Sequence, residues 1–157
     1  MRVLSAIFLL LGAAVLLPAQ TEFLKPDGLS PANGYSHAVT VAAGTKMVFL
    51  SGQIANDVQG HLVGKGDLKA QTEQVFRNLK AALAGAGTSF ENVVKLTFFV
   101  RDYTPQSVGV IREVRNQYIR TSAPPASTLV GVAALVQPDY LLEVEAIAVV
   151  PEKPAAK

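Results

Sequence analysis

The clearest pattern of hydrophobic and polar positions lies near the end of the chain. Residues 141–150 read Leu-Leu-Glu-Val-Glu-Ala-Ile-Ala-Val-Val, and alternate side chains of such a strand point to opposite faces. Glu143 and Glu145 share one face, where a carboxylate costs free energy unless it is solvated, paired or used. A turn at 137–140 links this strand to the one that follows residues 123–128, so the simplest prediction is a β-hairpin with a half-hydrated face.

The rest of the chain alternates between strand and helix patterns. Period-two alternation predicts strands at 35–41, 47–50 and 93–100, and a short edge strand could form at 61–63. Helical periodicity predicts one helix from Asp67, its N-cap, to Gly85, and a second that begins at Thr104-Pro105. Helices grouped over a mixed sheet make an α+β domain.

Each predicted helix has one apolar stripe. In the first helix the stripe consists of Leu68, Thr72, Val75, Phe76, Leu79 and Leu83. In the second it consists of Val108, Ile111, Val114 and Tyr118. Gln71 of the first helix lies off the stripe and is predicted to face water, and the simplest interpretation of Arg112 and Arg115 is a solvated helix face.

The strand at 93–100 has two faces of different character. Val94, Leu96, Phe98 and Val100 form the side predicted to lie under the helices, and Val93, Lys95, Thr97 and Phe99 form the other. A phenylalanine beside a threonine on the outer face predicts that another subunit covers this face.

The N-terminus has the organisation of a secretory signal. Arg2 precedes an uncharged apolar run at 3–17, and Pro18-Ala19-Gln20 supplies a small residue before a polar one. We predict cleavage after Ala19 and a periplasmic or secreted protein, with an uncleaved anchor as the alternative. An irregular arm at 20–33, a domain at 34–150 and a tail at 151–157 complete the division of the chain.

Charge and composition exclude several kinds of function. Loss of Arg2 with the signal lowers the formal net charge of +2 by one, which is too little for binding nucleic acid by counterion release. The chain has no cysteine, so thiolate catalysis and cysteine zinc sites are excluded. His37 and His61 have no metal-ligand spacing, and we expect no metal, no nucleic-acid partner and, after cleavage, no membrane association.

Four segments, taken together, resemble one protein family. They are Gly34-Tyr35-Ser36-His37-Ala38, Leu50-Ser51-Gly52-Gln53-Ile54, the run from Val94 to Asp102, and Glu143-Val144-Glu145-Ala146-Ile147-Ala148-Val149. In this order they resemble the Rid family, also called YjgF/YER057c/UK114, over residues 34–150. The resemblance implies a fold like Bacillus chorismate mutase, with a six-stranded mixed sheet, two helices on one face, and a homotrimer with three clefts between subunits.

The resemblance also implies a site and a chemistry. Typical members deaminate 2-iminobutanoate and 2-iminopropanoate without metal or cofactor, and an arginine in a Pro-Ala-Arg-Ser segment holds the substrate carboxylate as a bidentate fork. By position, the substrate-binding residues are Tyr35, Ser51 and Gly52, and the catalytic glutamate is Glu145.

This chain departs from the family at the arginine. The segment aligns with Pro124-Pro125-Ala126-Ser127, so Ala126 stands where the arginine would, and Thr128 replaces the family's cysteine. The asparagine expected on the second helix is replaced by Arg112. Alanine cannot hold a carboxylate in place for attack by water on the imine.

Three functions follow as hypotheses. The first is an exported trimer that binds a small carboxylate-bearing metabolite in its clefts, lined also by Ser127 and Thr128, without the family's imine deamination. The second is a cofactor-free imine deaminase that uses Arg112 or Arg115 as its carboxylate-binding arginine. The third is an endoribonuclease, which the low charge and the lack of paired catalytic histidines disfavour.

Overall fold

A computed structural model describes residues 21–151 of the chain. The predicted signal at 1–19 and nearly all of the predicted tail lie outside these residues. The elements are β1 (Glu22–Leu24), β2 (Ala38–Thr40), β3 (Lys46–Gln53), α1 (Leu68–Gly85), a 3-10 turn (Phe90–Asn92), β4 (Val93–Arg101), α2 (Pro105–Arg115), β5 (Ala126–Val132) and β6 (Leu142–Val150).

The main sheet has four strands in the order β3-β6-β4-β5. Strand β4 pairs parallel with β5 and antiparallel with β6, and β6 pairs antiparallel with β3. The predicted hairpin between the last two strands is therefore wrong, because β4 lies between them. The reason is the α2 crossover: parallel neighbours need a long connection, and the β4-α2-β5 unit places β5 at the outer edge.

The single six-stranded sheet is not what the described residues form. Six strands are present, but β1 and β2 form a separate two-stranded sheet. The predicted irregular arm thus contains a short strand, and β2 pairs with it rather than with β3. Ser36 ties this ribbon to the start of β5, since its backbone N–H and its hydroxyl donate to the carbonyls of Pro125 (3.2 Å) and Pro124 (2.6 Å).

The edge strand predicted at 61–63 is also absent as a strand. Its place is taken by one isolated antiparallel bridge between Asn56 and Leu62, within a turn-rich segment. Gly60 and Gly64 have positive φ on either side of residues 61–63, so the backbone turns at both ends and leaves this segment too short for a strand.

The core lies between the two helices and one face of the main sheet. The predicted α1 stripe is confirmed for Thr72, Val75, Phe76, Leu79 and Leu83, which are buried, while Leu68 is half-buried. From the sheet, Leu96, Phe98, Val144 and Ala146 join the same cluster. Phe76 stacks on Phe90 at 5.6 Å between ring centroids and contacts Tyr118 at 5.1 Å, which closes one end of the core.

Gln71 does not face water, contrary to its predicted position. Its side chain is 0% exposed and is held by three hydrogen bonds to the backbone. The amide nitrogen donates to the carbonyls of Gly64 (3.1 Å) and Asp139 (2.9 Å), and the amide oxygen accepts from the N–H of Leu141 (2.8 Å). Gln71 therefore joins the loop before α1 to the turn before β6.

The opposite face of the main sheet is uncovered in a single chain. Phe49 is 72% exposed, and Met47 and Val130 are also exposed on this face. Val93, predicted on this outer face, is buried, because a register shift between Val93 and Lys95 turns it inward.

Candidate functional site

Ser51 and Glu145 lie together in an open pocket on the outer face of the sheet. The pocket has a volume of about 250 Å³ and is lined by Phe49, Leu50, Ser51, Lys95, Thr97, Glu145, Ala146 and Ile147. Glu145 is exposed and is paired in register with Thr97 of β4. Strand β6 thus presents its carboxylate toward the face that carries Phe49, as the alternation of its sequence predicts.

Lys95 is the cation of this outer pocket. It is paired in register with Ala126, and its ammonium donates a hydrogen bond to the hydroxyl of Thr128. Partial burial lowers the pKa of Lys95 below its ordinary value. Sequence reasoning gave Lys95 no role, although a lone lysine in a strand of valine, leucine and phenylalanine was a signal that it has a partner.

Gly52 is required by the close approach of Glu143. A Cβ atom on Gly52 would overlap the Glu143 carboxyl group, with its Cδ at only 2.6 Å and its Cγ at 2.8 Å. The register of β3 against β6 also shifts between Leu50 and Gln53. The glycine at this strand end therefore marks both a bulge and a close contact with a side chain of the neighbouring strand.

Tyr35, Arg112 and Ser127 lie in a second cavity, between α2, β5 and the segment 33–35. This cavity also has a volume of about 250 Å³. Its walls are mixed: about half of the lining is apolar, and the polar side chains are one asparagine, two tyrosines, one serine and two arginines. The complete lining is Asn33, Gly34, Tyr35, Phe98, Tyr103, Val108, Ile111, Arg112, Arg115, Ser127 and Leu129.

Arg115 is buried, so its predicted position on a solvated helix face is wrong. Its residue exposure is 6%, and its Nε and Nη2 donate to the side-chain oxygen of Asn116 at 3.2 and 2.9 Å. Burial, with the positive charge of Arg112 as a second cause, lowers the pKa of Arg115. Arg112 is half-buried and donates from Nη2 to the carbonyl of Asn33 at 2.8 Å.

One chain does not bring all of the predicted site residues together. Ser127 and Leu129 point toward α2, while Ala126 and Thr128 alternate with them and share the face of Lys95. Ser51 and Glu145 therefore line a pocket on one side of the sheet, and Tyr35, Arg112 and Ser127 line a cavity on the other. Gly52 borders neither, but lies beside Gln53 in a shallow depression at the end of β3.

Residues 21–151 contain neither a cluster of metal-ligating side chains nor a membrane-spanning helix. Within this range no three histidine, aspartate or glutamate side chains converge as a metal would require. In the same part of the chain, no helix has the length and apolar character needed to cross a membrane.

Comparisons with known proteins agree on one family. The family model described as endoribonuclease L-PSP matches residues 26–150. Protein DfrA of Myxococcus xanthus is 44% identical over 124 residues, covering 79% of this chain and 88% of DfrA. A 2-iminobutanoate/2-iminopropanoate deaminase of Dermatophagoides farinae is 32% identical over 127 residues, covering 81% and 91% of the two chains.

A solved structure gives the same result for the fold. The Rid-family protein YyfB of Yersinia pestis, described as of unknown function, superimposes with a TM-score of 0.70 at 32% identity, covering 82% of this chain and 98% of YyfB. The α+β fold with two helices and a mixed sheet is thereby confirmed. With matching segments, matching fold and relatives of this similarity, the chain belongs to the Rid (YjgF) family, whose model is described as endoribonuclease L-PSP.

Proposed function

We propose that this chain is an exported Rid-family protein that forms a homotrimer and binds a small carboxylate-bearing metabolite in clefts between its subunits. The observation that carries the proposal is the division of the site. Ser51 and Glu145 lie on the outer face of the sheet, and Tyr35, Arg112 and Ser127 lie in the cavity beside α2. If these residues act on one ligand, two subunits must supply them.

The uncovered sheet face supports the association. Phe49 is 72% exposed in the single chain, with Met47 and Val130 exposed on the same face. Burying one such aromatic side chain contributes about 1.5–3 kcal/mol, so a face of this kind favours contact with another subunit.

The alanine at 126 argues against the family's imine deamination. A carboxylate in the outer pocket would meet the ammonium of Lys95 rather than a guanidinium fork, and this ammonium is already bonded to Thr128. A bidentate guanidinium orients a carboxylate in a plane, which a single ammonium does not do. Binding without efficient deamination is the function that this arrangement supports best.

Imine deamination is the second candidate, because Arg112 and Arg115 both line the cavity beside α2. In the described chain neither has a carboxylate within 4 Å, so either could take the substrate acid from the helix side. An endoribonuclease activity has less support. His37 binds the carbonyl of Ser30 at 2.8 Å and His61 lies beside Asp57, so the two histidines do not face each other.

Coupled hydrolysis of 2-iminobutanoate by the purified mature protein separates the two candidates. We expect a slow parent and a faster Ala126→Arg variant, with a further gain when Lys95→Met removes the neighbouring ammonium. A fast parent that loses its activity in Arg112→Ala would instead establish the deaminase. Arg120→Ala, an exposed arginine just beyond the same helix, is the matched control and should leave the rate unchanged.

The proposed homotrimer and the proposed export are each tested by a separate measurement. Light scattering on the mature protein should give the mass of three chains, and a monomer at micromolar concentration would contradict the proposal. Mass spectrometry of the exported fraction should show an N-terminus at Gln20, and an intact Met1 in soluble protein would contradict cleavage.

A further inference from the structure

Helix α2 carries a pair of guanidinium groups that have no acidic partner among the described residues. Arg112 and Arg115 are three residues apart on α2, so they project from the same side of the helix. Both approach Gly34: a Cβ built there would lie 3.1 Å from Nη2 of Arg115 and 3.8 Å from Nε of Arg112. The two positive groups are therefore neighbours at one end of the cavity.

The nearest candidates for neutralising them are engaged elsewhere. Glu113 lies between the two arginines in sequence, but its carboxylate accepts from Lys69 at 2.6 Å. The ion pairs of the described residues include neither arginine, and their hydrogen bonds go only to neutral oxygens of Asn33 and Asn116. Two like charges held together in a partly buried place oppose each other; burial is the first cause of the lowered pKa of Arg115, and this repulsion by Arg112 is the second.

Arg115 has one guanidinium nitrogen that makes no hydrogen bond within the described residues. Its hydrogen bonds within the described chain use Nε and Nη2, which leaves Nη1. In that part of the chain, no side-chain nitrogen or oxygen is both fully buried and without a partner, so Nη1 is accessible. Arg115 lines the cavity, and this is where an accessible Nη1 can meet a ligand. Arg112 donates one hydrogen bond within the described residues, from Nη2 to the carbonyl of Asn33.

The remaining walls fix the kind of molecule that fits. Phe98, Ile111 and Leu129 give an apolar surface, and the hydroxyls of Tyr35 and Ser127 offer neutral hydrogen bonds. A volume of about 250 Å³ admits a small metabolite only. A ligand with one acid group would neutralise one guanidinium and leave the other beside it in the same cavity.

We infer that this cavity binds a small dianion, whose two negative charges are met by Arg112 and Arg115. The ligand is either a short dicarboxylate or a phosphate, since guanidinium groups pair with both. The inference rests on the proposed function, because it assigns the charge of the metabolite that the proposed clefts would bind.

Calorimetry on the mature protein tests it with succinate, butyrate and inorganic phosphate. Succinate and butyrate have the same number of carbons and differ by one carboxylate, so their ratio measures the demand for a second charge. We expect succinate or phosphate to bind at least about tenfold more tightly than butyrate, which is the effect of one charge-assisted hydrogen bond. The tighter of the two identifies a dicarboxylate or a phosphate as the source of the charge.

Variants connect this preference to the arginines. Arg112→Gln should weaken succinate or phosphate binding at least about tenfold and remove most of the preference over butyrate, whereas Arg120→Gln should change neither. Arg115→Gln should do the same, provided that its circular dichroism matches the parent. Arg112 is only half-buried, so we expect Arg112→Gln to fold. This variant therefore tests the inference even if Arg115→Gln does not fold.

The possible results distinguish a failure of the dianion inference from a failure of the proposed function. If butyrate binds as tightly as both succinate and phosphate, the dianion is overturned and the proposed carboxylate-binding function stays intact. A preference for succinate that survives in Arg112→Gln overturns the assignment to these arginines. If none of the three anions binds at millimolar concentration, the proposed function and this inference both fail.

Discussion

Replacing Gln71 by methionine should lower the free energy of unfolding strongly. The hydrophobic pattern of α1 assigns Gln71 to the solvent side, where such a change would have little effect. Methionine has nearly the same length and volume, so the change removes hydrogen bonds without opening a large cavity. The side chain is fully buried and makes three hydrogen bonds, of 3.1, 2.9 and 2.8 Å, to the backbone of two loops.

The expected loss in the free energy of unfolding follows from the backbone groups that lose a hydrogen bond. The N–H of Leu141 loses its acceptor, and the carbonyls of Gly64 and Asp139 lose their shared donor. A buried polar group without a partner costs about 1–3 kcal/mol. The N–H should cost the full amount; the carbonyl of Gly64 keeps the N–H of Asp67 at 2.9 Å, and the carbonyl of Asp139 recovers part of its loss from water, so we expect a total of about 3 kcal/mol.

Urea unfolding of the mature protein measures this loss, with the protein concentration held constant because association would contribute to stability. Gln117→Met is the matched control: Gln117 is exposed and makes one long contact of 3.4 Å, so its replacement should cost less than about 0.5 kcal/mol. If Gln71→Met is as mild as the control, the buried amide does not hold the two loops and the reasoning is wrong.

Three other substitutions test separate parts of the chain. Gly52→Ala should lower the free energy of unfolding by about 1–3 kcal/mol because its Cβ overlaps Glu143, and Glu143→Ala should relieve most of that loss in a double-mutant cycle; additive effects would contradict the contact. Asp67→Ala should cost about 1 kcal/mol in urea unfolding, since its carboxylate accepts from two N–H groups of the first turn of α1, and no loss would refute the cap. Glu145→Gln should change ligand affinity by calorimetry more than Glu143→Gln does, because only Glu145 lines the outer pocket, and equal effects would remove the distinction.

The elements that the sequence predicts well are those whose pattern is local. Helix α1 was predicted at 67–85 and is found at Leu68–Gly85, because its cap, its stripe and its terminal glycine are all encoded within the segment itself. Strand β4, predicted at 93–100, is found at Val93–Arg101 for the same reason. Alternation in β6 also placed Glu145 on the outer face correctly.

Strand partners could not be predicted in the same way. Strands β5 and β6 are neighbours in sequence with a turn between them, and nothing local says that β4 separates them. The choice depends on α2, whose crossover directs β5 to the far side of β4. The register shift that buries Val93 is likewise a property of the β4–β6 pair rather than of either sequence.

Buried polar side chains were the second class of error. Gln71 and Arg115 both lie beside an apolar stripe, where periodicity alone assigns them to solvent. Gln71 is held by a partner distant in sequence, the turn before β6. Arg115 bonds to its neighbour Asn116, but Gly34, which is distant in sequence, lies against its guanidinium group. A pattern of hydrophobicity predicts which apolar side chains are buried. It does not predict which polar side chains are buried because backbone groups need them as hydrogen-bond partners.

The position of Lys95 gives the alanine at 126 a physical meaning. Lys95 and Ala126 are paired in register on one face, so an arginine at 126 would stand beside an ammonium. At about 4 Å, two unit charges repel by about 1 kcal/mol in water and about 4 kcal/mol at an effective dielectric constant of 20. Alanine avoids that repulsion and leaves Lys95 bonded to Thr128. Two guanidinium groups lie on the opposite side of the sheet, where Arg112 and Arg115 of α2 share one cavity. A carboxylate held in that cavity would approach the protein from the helix side, whereas one held at position 126 would approach from the outer face.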